Sequence, residues 1–353
     1  MRAHGGSAPS NAIDFSAPLN PLEPPSFVFR ALEIVSRDRL WMRYPSYTHE
    51  EGKEVVAEYV GVERDRVVLL NGASEAYTLI PLALRVEKIV IVEPTFGDRD
   101  IEALANELSI DIVRVAIELD KGYAKLDIAK LIDVARKLSS SYRTMLLLSN
   151  PNNPTTMYMR SDKLYEVVQE LKHVYIVVDE AFIDFATDDT LARVEEDNLI
   201  VLRSFTKILS IPGIRLGYLV ASRKLAKLFD NVRPPWNVNA YAYTVLTILR
   251  NYIDEFRCFI NESRTYIATE LNSIVPKLKQ LDLEVYSFTT VPYILVKHPI
   301  PHPDMQQRLL ERGVYVRDCS SFYALSPYFS RVSIRSRDEN EVLVKAFKYA
   351  LKH

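Results

Sequence analysis

Two cysteines in a chain of 353 residues, Cys258 and Cys319, are too few and too far apart for a disulfide framework, and they match no metal spacing such as C-x-x-C. A reduced intracellular protein follows, with the thiols as small buried side chains. Charge of one sign is lacking too: 44 basic residues stand against 46 acidic ones, mixed along the chain, for a formal charge of −2. Such a chain presents no field to a polyanion or a charged bilayer, so neither nucleic acid nor membrane is an expected partner. No apolar run approaches the about 20 residues of a membrane span, and the opening MRAHGGSAPSNAIDFSAPLNPLEPP has no apolar signal core. The expected location is cytoplasmic. The stretch NGASEAY (71–77) lacks the Gly-Lys-Ser/Thr of a Walker loop, which removes P-loop nucleotide chemistry.

What the chain does have is a series of short, nearly continuous Val/Ile/Leu runs: RVVLLNG (66–72), KIVIVEP (88–94), TMLLLSN (144–150), VYIVVDE (174–180), LIVLRSF (199–205) and IRLGYLVAS (214–222). Runs of this kind are strands buried on both faces. Amphipathic segments such as SDKLYEVVQELK (161–172) lie between several of them, and strand alternating with helix predicts an α/β fold, a mostly parallel sheet with helices on both sides. After RPPWNVN (233–239) the pattern changes to long helices, alternating strands such as PYILVKH (292–298) and a closing helix over 338–353. The chain therefore divides into an arm (1–30) packing on the small domain, a large domain (31–240) and a small α+β domain (241–353). A length of 353 residues also exceeds what one core commonly serves.

Open α/β sheets bind ligands beyond the carboxyl ends of their strands, so the polar residues directly after the apolar runs are the candidates. Gly72 allows a tight turn, and the amides of Ala73 and Ser74 face an anion if a helix opens there; an ordinary helix cap would read the same. Asn153, in NPNNPTT (150–156), suits either a rigid ligand-holding loop or plain turn chemistry. Asp179 ends a fully apolar strand and needs a cation or donors there, since an unpaired buried carboxylate costs several kcal/mol; a structural ion pair is the simpler alternative. Lys207 follows VLRSFT, and a lysine in apolar surroundings becomes an amine nucleophile. Ser204, Thr206 and Arg215 surround it with hydroxyls and a guanidinium fork, which grip phosphate. One ligand accounts for the whole set: a phosphate, an aldehyde for Lys207, a basic ring nitrogen for Asp179, a ring hydroxyl for Asn153 and a flat face for Phe96 in EPTFGD. Pyridoxal 5'-phosphate carries each of those groups.

These motifs resemble those of fold-type I pyridoxal-phosphate enzymes, in the branch of histidinol-phosphate aminotransferases and L-threonine-O-3-phosphate decarboxylases, over nearly the whole chain. The resemblance implies Lys207 as the cofactor-bound lysine, Asp179 as partner of the pyridine nitrogen, Asn153 as donor to the ring hydroxyl oxygen and Phe96 as the stacked aromatic. It implies a phosphate cup of Ala73, Ser74, Ser204, Thr206 and Arg215. It also makes Tyr44, in RYPSY, the tyrosine that reaches the cofactor phosphate of a second subunit, and so implies a homodimer with shared sites. Arg331, in SRVSIR, is similar to the arginine that binds a substrate carboxylate. Arg317 and His4 are added for a substrate phosphate, with Arg335 and Arg160 behind them. Two residues depart from the pattern: Thr156 stands where glycine is usual, and Phe182 where the histidinol-phosphate aminotransferases carry a tyrosine.

Pyridoxal phosphate activates whichever bond at Cα stands perpendicular to its ring, so the carboxylate grip sets the reaction. If Arg331 holds the carboxylate in the ring plane, the Cα proton is exposed and transamination follows. If the substrate's phosphate takes the strong cationic site, the carboxylate turns out of plane and CO2 leaves. The combination HGG, DFSAPLNPL, DEAFIDF, PPWNVNA and VRDCSSF resembles the decarboxylases more closely. It implies conversion of L-threonine O-3-phosphate to (R)-1-amino-2-propanol O-2-phosphate, the aminopropanol unit of cobalamin. The alternative is an aminotransferase exchanging the amino group of histidinol phosphate or an aromatic amino acid with 2-oxoglutarate. A silent scaffold would have lost one of Lys207, Asp179 and Arg215, and all three are present.

Overall fold

The computed structural model describes residues 5–352. Its strands, in chain order, are β1 (Ile13–Asp14), β2 (Val67–Leu70), β3 (Lys88–Glu93), β4 (Asp111–Ala116), β5 (Glu118–Asp120), β6 (Tyr123–Lys125), β7 (Thr144–Ser149), β8 (Val174–Asp179), β9 (Leu199–Ser204) and β10 (Gly217–Ala221). They continue with β11 (Glu284–Tyr286), β12 (Tyr293–Lys297), β13 (Val314–Tyr315), β14 (Arg317–Asp318) and β15 (Phe329–Ser333).

A seven-stranded sheet in the order β2-β10-β9-β8-β7-β3-β4 forms the centre. Neighbours are parallel except at β10, which runs antiparallel to both β9 and β2. The six apolar runs picked out in the sequence are six of these strands. The seventh, β4, escapes the pattern because it is the edge strand and only Val115 along it is buried. Alternate residues of the inner strands enter different cores. Leu146, Leu148, Ile176 and Val178 pack on one side with helices Ile128–Ser139 and Ser161–Glu170. Met145, Leu147, Val177 and Ile200 pack on the other with helices Ala76–Leu84 and Arg223–Val232. Period-two side chains buried on both faces leave few polar positions within a strand, which is why these runs read as nearly continuous apolar sequence. The α/β expectation holds.

A four-stranded antiparallel sheet, β11-β12-β15-β14, lies in the last third of the chain. Helices Ile253–Lys279, His302–Leu310 and Arg337–Ala350 cover one face. The last helix opens on a capping box between Ser336 and Glu339, which satisfies two of its orphan amide donors.

The N-terminal segment is tied to both sheets' surroundings. β1 pairs in parallel with β13, the Ser333 N–H donates to the Phe15 carbonyl at 2.8 Å, and the Asn20 N–H donates to the Lys207 carbonyl at 3.1 Å. Helix Ser26–Arg37 begins inside the stretch expected to be arm, and its buried face of Phe27, Val28 and Ala31 joins the main core. Among the described residues no helix is long and apolar enough to cross a membrane.

Candidate active site

Every parallel strand of the large sheet delivers its carboxyl end to one edge, and β10, being antiparallel, delivers its beginning there. Gly217 pairs with both Ser204 and Leu70, so Arg215 arrives beside the turn after β2 and the end of β9. A cavity of about 610 Å³ lies at this edge. Lys207, Asp179, Asn153, Phe96, Ala73, Ser74, Ser204, Thr206, Arg215, Arg317 and Arg331 all line it. Ala17 and Pro18 of the N-terminal segment line it as well.

The turn after β2 is built around absent side chains. Gly72 has φ +73, and a Cβ there would lie 2.8 Å from Arg215 Cζ. Gly217 likewise leaves room for the backbone of the turn, because its Cβ would meet the Gly72 carbonyl carbon at 2.8 Å. The freed space lets Arg215 Nη2 donate to Ser74 Oγ at 2.9 Å. Ser204 and Thr206 complete a polar cup, their hydroxyls 2.6 Å apart. Ala73–Glu75 is a 3-10 turn leading into helix Ala76–Leu84, so the helix proper starts one residue later than a cap at Ser74 implies.

Lys207 sits in the one-turn helix Phe205–Ile208 that follows β9. Burial and the positive neighbours Arg331 and Arg215 push its ammonium down to about 8 from an ordinary 10.5, with Asp179 acting the other way. Asp179 is buried, and burial raises its carboxyl above the ordinary value against the donors that hold it: the Tyr77 hydroxyl on Oδ2 and the Ala181 N–H on Oδ1 at 2.8 Å. Arg331 is buried and anchored on two sides, Nη1 donating to Asn153 Oδ1 and Nη2 to the Ser16 carbonyl, both at 2.7 Å. Its Nε has no hydrogen-bond partner among the described residues. Desolvation brings its guanidinium down to about 10, and Arg317 contributes in the same direction. Arg317 and Arg331 are register partners across β14 and β15, and Arg317 Nη2 donates to Ser321 Oγ at 2.7 Å. A polar cup, a buried amine of lowered basicity, a buried carboxylate and an aromatic wall at Phe96 share one cavity.

The sequence model for "Aminotransferase class I and II" matches residues 10–347. The chain belongs to that family. It is 32% identical over 338 residues to a protein of Caldanaerobacter subterraneus subsp. tengcongensis named "Putative threonine-phosphate decarboxylase", covering 94% of this chain and 88% of the other. It is 27% identical to the histidinol-phosphate aminotransferase of Ruminiclostridium cellulolyticum, covering 91% of this chain and 87% of the other. Among solved structures, L-threonine-O-3-phosphate decarboxylase from Porphyromonas gingivalis superposes with a TM-score of 0.79 at 20% identity, over 96% of this chain and 99% of that one. The fold is that of the fold-type I enzymes, and the cofactor is pyridoxal phosphate. The residues present fit it: the glycine-cleared cup suits a phosphate, and Lys207 a carbonyl carbon.

Not every expected residue lies in the cavity. Tyr44 is exposed and stacks on Trp236, ring centroids 4.4 Å apart. Arg335 pairs with Glu339 and donates to the Asp14 carbonyl, and Arg160 pairs with Asp162, so neither lines the site. His4 lies outside the described residues. Thr156 does adopt a left-handed backbone, φ 63, which costs a side chain about 1–2 kcal/mol. Its hydroxyl accepts the Phe288 N–H at 2.9 Å and ties the loop down. Phe182 lines the cavity and packs edge-on against Tyr293, centroids 4.9 Å apart. Sequence reasoning missed Tyr77, Ser149 and Ser321. Tyr77 stands three residues after Ser74 at helical spacing, but among apolar neighbours it reads as core. Ser149, whose hydroxyl accepts from Asn152 Nδ2 at 3.1 Å, sits within an apolar run and had no signal.

Proposed function

We propose that the protein decarboxylates L-threonine O-3-phosphate to (R)-1-amino-2-propanol O-2-phosphate, a step that would serve cobalamin synthesis. The observation that carries this reading is the Arg317–Arg331 register pair at the cavity wall. Like charges directly opposite on neighbouring strands repel, and here they repel in a largely desolvated place. A substrate carrying a phosphate monoester relieves the repulsion and draws charge-assisted bonds from both groups. Threonine phosphate brings that dianion and a carboxylate in one molecule. Phe182 at the wall, in place of a hydrogen-bonding tyrosine, and the 32% identical relative also support it.

In this reading the substrate phosphate would take the arginine pair, so that neither guanidinium would be left to hold the carboxylate. Pyridoxal phosphate, when bound, supplies the electron sink for the Cα bond that stands perpendicular to its ring. The Asp179 carboxylate would accept the proton-bearing pyridine nitrogen's hydrogen bond, and the Asn153 amide would donate to the ring hydroxyl oxygen. Ser74, Ser204, Thr206, Arg215 and the Ala73 backbone would hold the cofactor phosphate. The Cα–carboxylate bond breaks, CO2 departs, and the Lys207 ammonium gives a proton to Cα. With its basicity lowered to about 8, Lys207 is near the range where one amine both donates and recovers a proton at neutral pH.

The division at residues 30 and 240, cytoplasmic location and a homodimer belong to the same proposal. The exposed aromatic group of Tyr44, Tyr47 and Trp236 supports the dimer, as an apolar patch of this kind is suited to contact. The second reading, an aminotransferase for histidinol phosphate, is favoured by the 27% identical relative. Mass spectrometry of the cofactor-loaded protein with L-threonine O-3-phosphate separates the two. Release of CO2 with the phosphorylated amine is expected; glutamate formed only from histidinol phosphate plus 2-oxoglutarate would overturn the decarboxylase.

A further inference from the structure

Among the described residues the carboxylate of Asp179 has two donors, one of them the backbone Ala181 N–H. The other is the Tyr77 hydroxyl on Oδ2, from the first turn of helix Ala76–Leu84. Tyr77 is buried, lines the cavity and lies 6.2 Å, centroid to centroid, from Phe96 at an interplanar angle of 48°. The backbone is shaped to admit this ring. Gly97 has φ +84, and a Cβ there would lie 2.6 Å from Tyr77 Cε2, so a side chain at position 97 and the tyrosine in its place exclude each other. Two independent features thus converge on one phenol: a hydroxyl aimed at the buried carboxylate, and a glycine clearing space for the ring that carries it.

We infer that Tyr77 is a positioning residue for the cofactor: its hydroxyl, donating to Asp179 Oδ2, holds the carboxylate ionised and aimed, and so keeps the proton of the cofactor's pyridine nitrogen on nitrogen. A phenol donor stabilises the carboxylate anion. Without it, a buried and more basic Asp179 competes for the shared proton, and the nitrogen becomes a neutral acceptor that withdraws electrons less strongly. Burial first, then the Asp179 carboxylate, with Asp100 and Asp98 adding to it, keeps Tyr77 in its neutral, donating form. The inference rests on the cofactor but not on which bond at Cα is broken.

The test therefore uses no substrate. Wild type, Tyr77→Phe, Asp179→Asn and the double variant are loaded with pyridoxal phosphate 15N-labelled in its ring, and the nitrogen resonance is measured at one neutral pH. Wild type gives the pyridinium position and Asp179→Asn that of the free base. Tyr77→Phe moves the resonance from the first toward the second, and adding it to Asp179→Asn causes no further shift. A Tyr77→Phe resonance unchanged from wild type overturns the inference, as does an equal shift in both backgrounds, which would mean that the phenol acts on the ring directly. Failure of Tyr77→Phe to take up cofactor overturns it too, because the tyrosine would then build the pocket rather than hold the carboxylate. Product analysis with threonine phosphate, run separately, decides the reaction and leaves this outcome untouched.

Discussion

Lys207 offers the most quantitative test of the cavity's electrostatics. Burial first, then Arg331 and Arg215, lowers its basicity from 10.5 to about 8. At pH 7 about one tenth of the side chain is then the neutral amine, roughly 300 times the fraction of an ordinary lysine. Only the neutral amine attacks the cofactor's aldehyde carbon. Stopped-flow absorbance of cofactor-free protein mixed with pyridoxal phosphate should give a capture rate that rises about tenfold per pH unit below the midpoint near 8 and levels above it. A model lysine measured alongside removes the cofactor's own titration. Arg331→Met should move the midpoint up, since Arg331 is the largest charge acting on Lys207. The linkage sign is also fixed: the native lysine binds fewer protons than the unfolded one between pH 8 and 10.5, so stability rises with pH across that window. Lys207→Met should consequently stabilise the cofactor-free protein at pH 7, by about 3 kcal/mol at most. A capture midpoint near that of the model lysine, unmoved by Arg331→Met, would refute the reasoning.

Other outcomes follow from single contacts. Gly72→Ala should weaken cofactor binding about tenfold or more, because it strains a φ of +73 and drives Arg215 off Ser74; equilibrium dialysis checks it, and unchanged affinity would remove the cup assignment. Arg317→Ala should raise KM for a phosphorylated amino acid by roughly ten- to hundredfold while leaving unphosphorylated threonine unaffected, so an equal effect on both would contradict the phosphate role. His298 and His49 are buried and held near 4 rather than 6.5, chiefly by desolvation. The unfolded chain binds more protons between those values, so stability should fall as pH drops from 6.5 toward 4, by about 3 kcal/mol for each histidine at most. Urea unfolding across that range would show a flat midpoint if the two were accessible.

Legibility followed burial. β7 and β8 announced themselves because both faces are covered, whereas β4 at the edge did not. Lys207, Asp179 and Arg215 were legible as ionisable groups set at the ends of apolar runs, and one ligand that could use them all pointed to a shared site. How Arg215 reaches it was not legible, because that depends on β10 running against its neighbours, and a run of apolar letters carries no direction. The Arg317–Arg331 pairing needed the register of β14 on β15, since nothing in the 13 residues between the two shows that they face each other. Tyr77 was hidden for a different reason: a tyrosine in a helix with apolar neighbours reads as core until the carboxylate beneath it is placed. Thr156 shows the reverse case, a β-branched residue in a left-handed position that the sequence alone argues against and a hydrogen bond to Phe288 sustains.

The central claim is that the bond broken at Cα is the one to the carboxylate. L-threonine O-3-phosphate deuterated at Cα tests it directly, with the phosphorylated product's mass read after a single incubation. Retention of the deuterium in 1-amino-2-propanol O-2-phosphate is the predicted result, since decarboxylation never removes that hydrogen. Loss of deuterium to solvent, with the amino group passed to a 2-oxo acid, would show that Lys207 takes the Cα proton and that the arginine pair holds the carboxylate in plane.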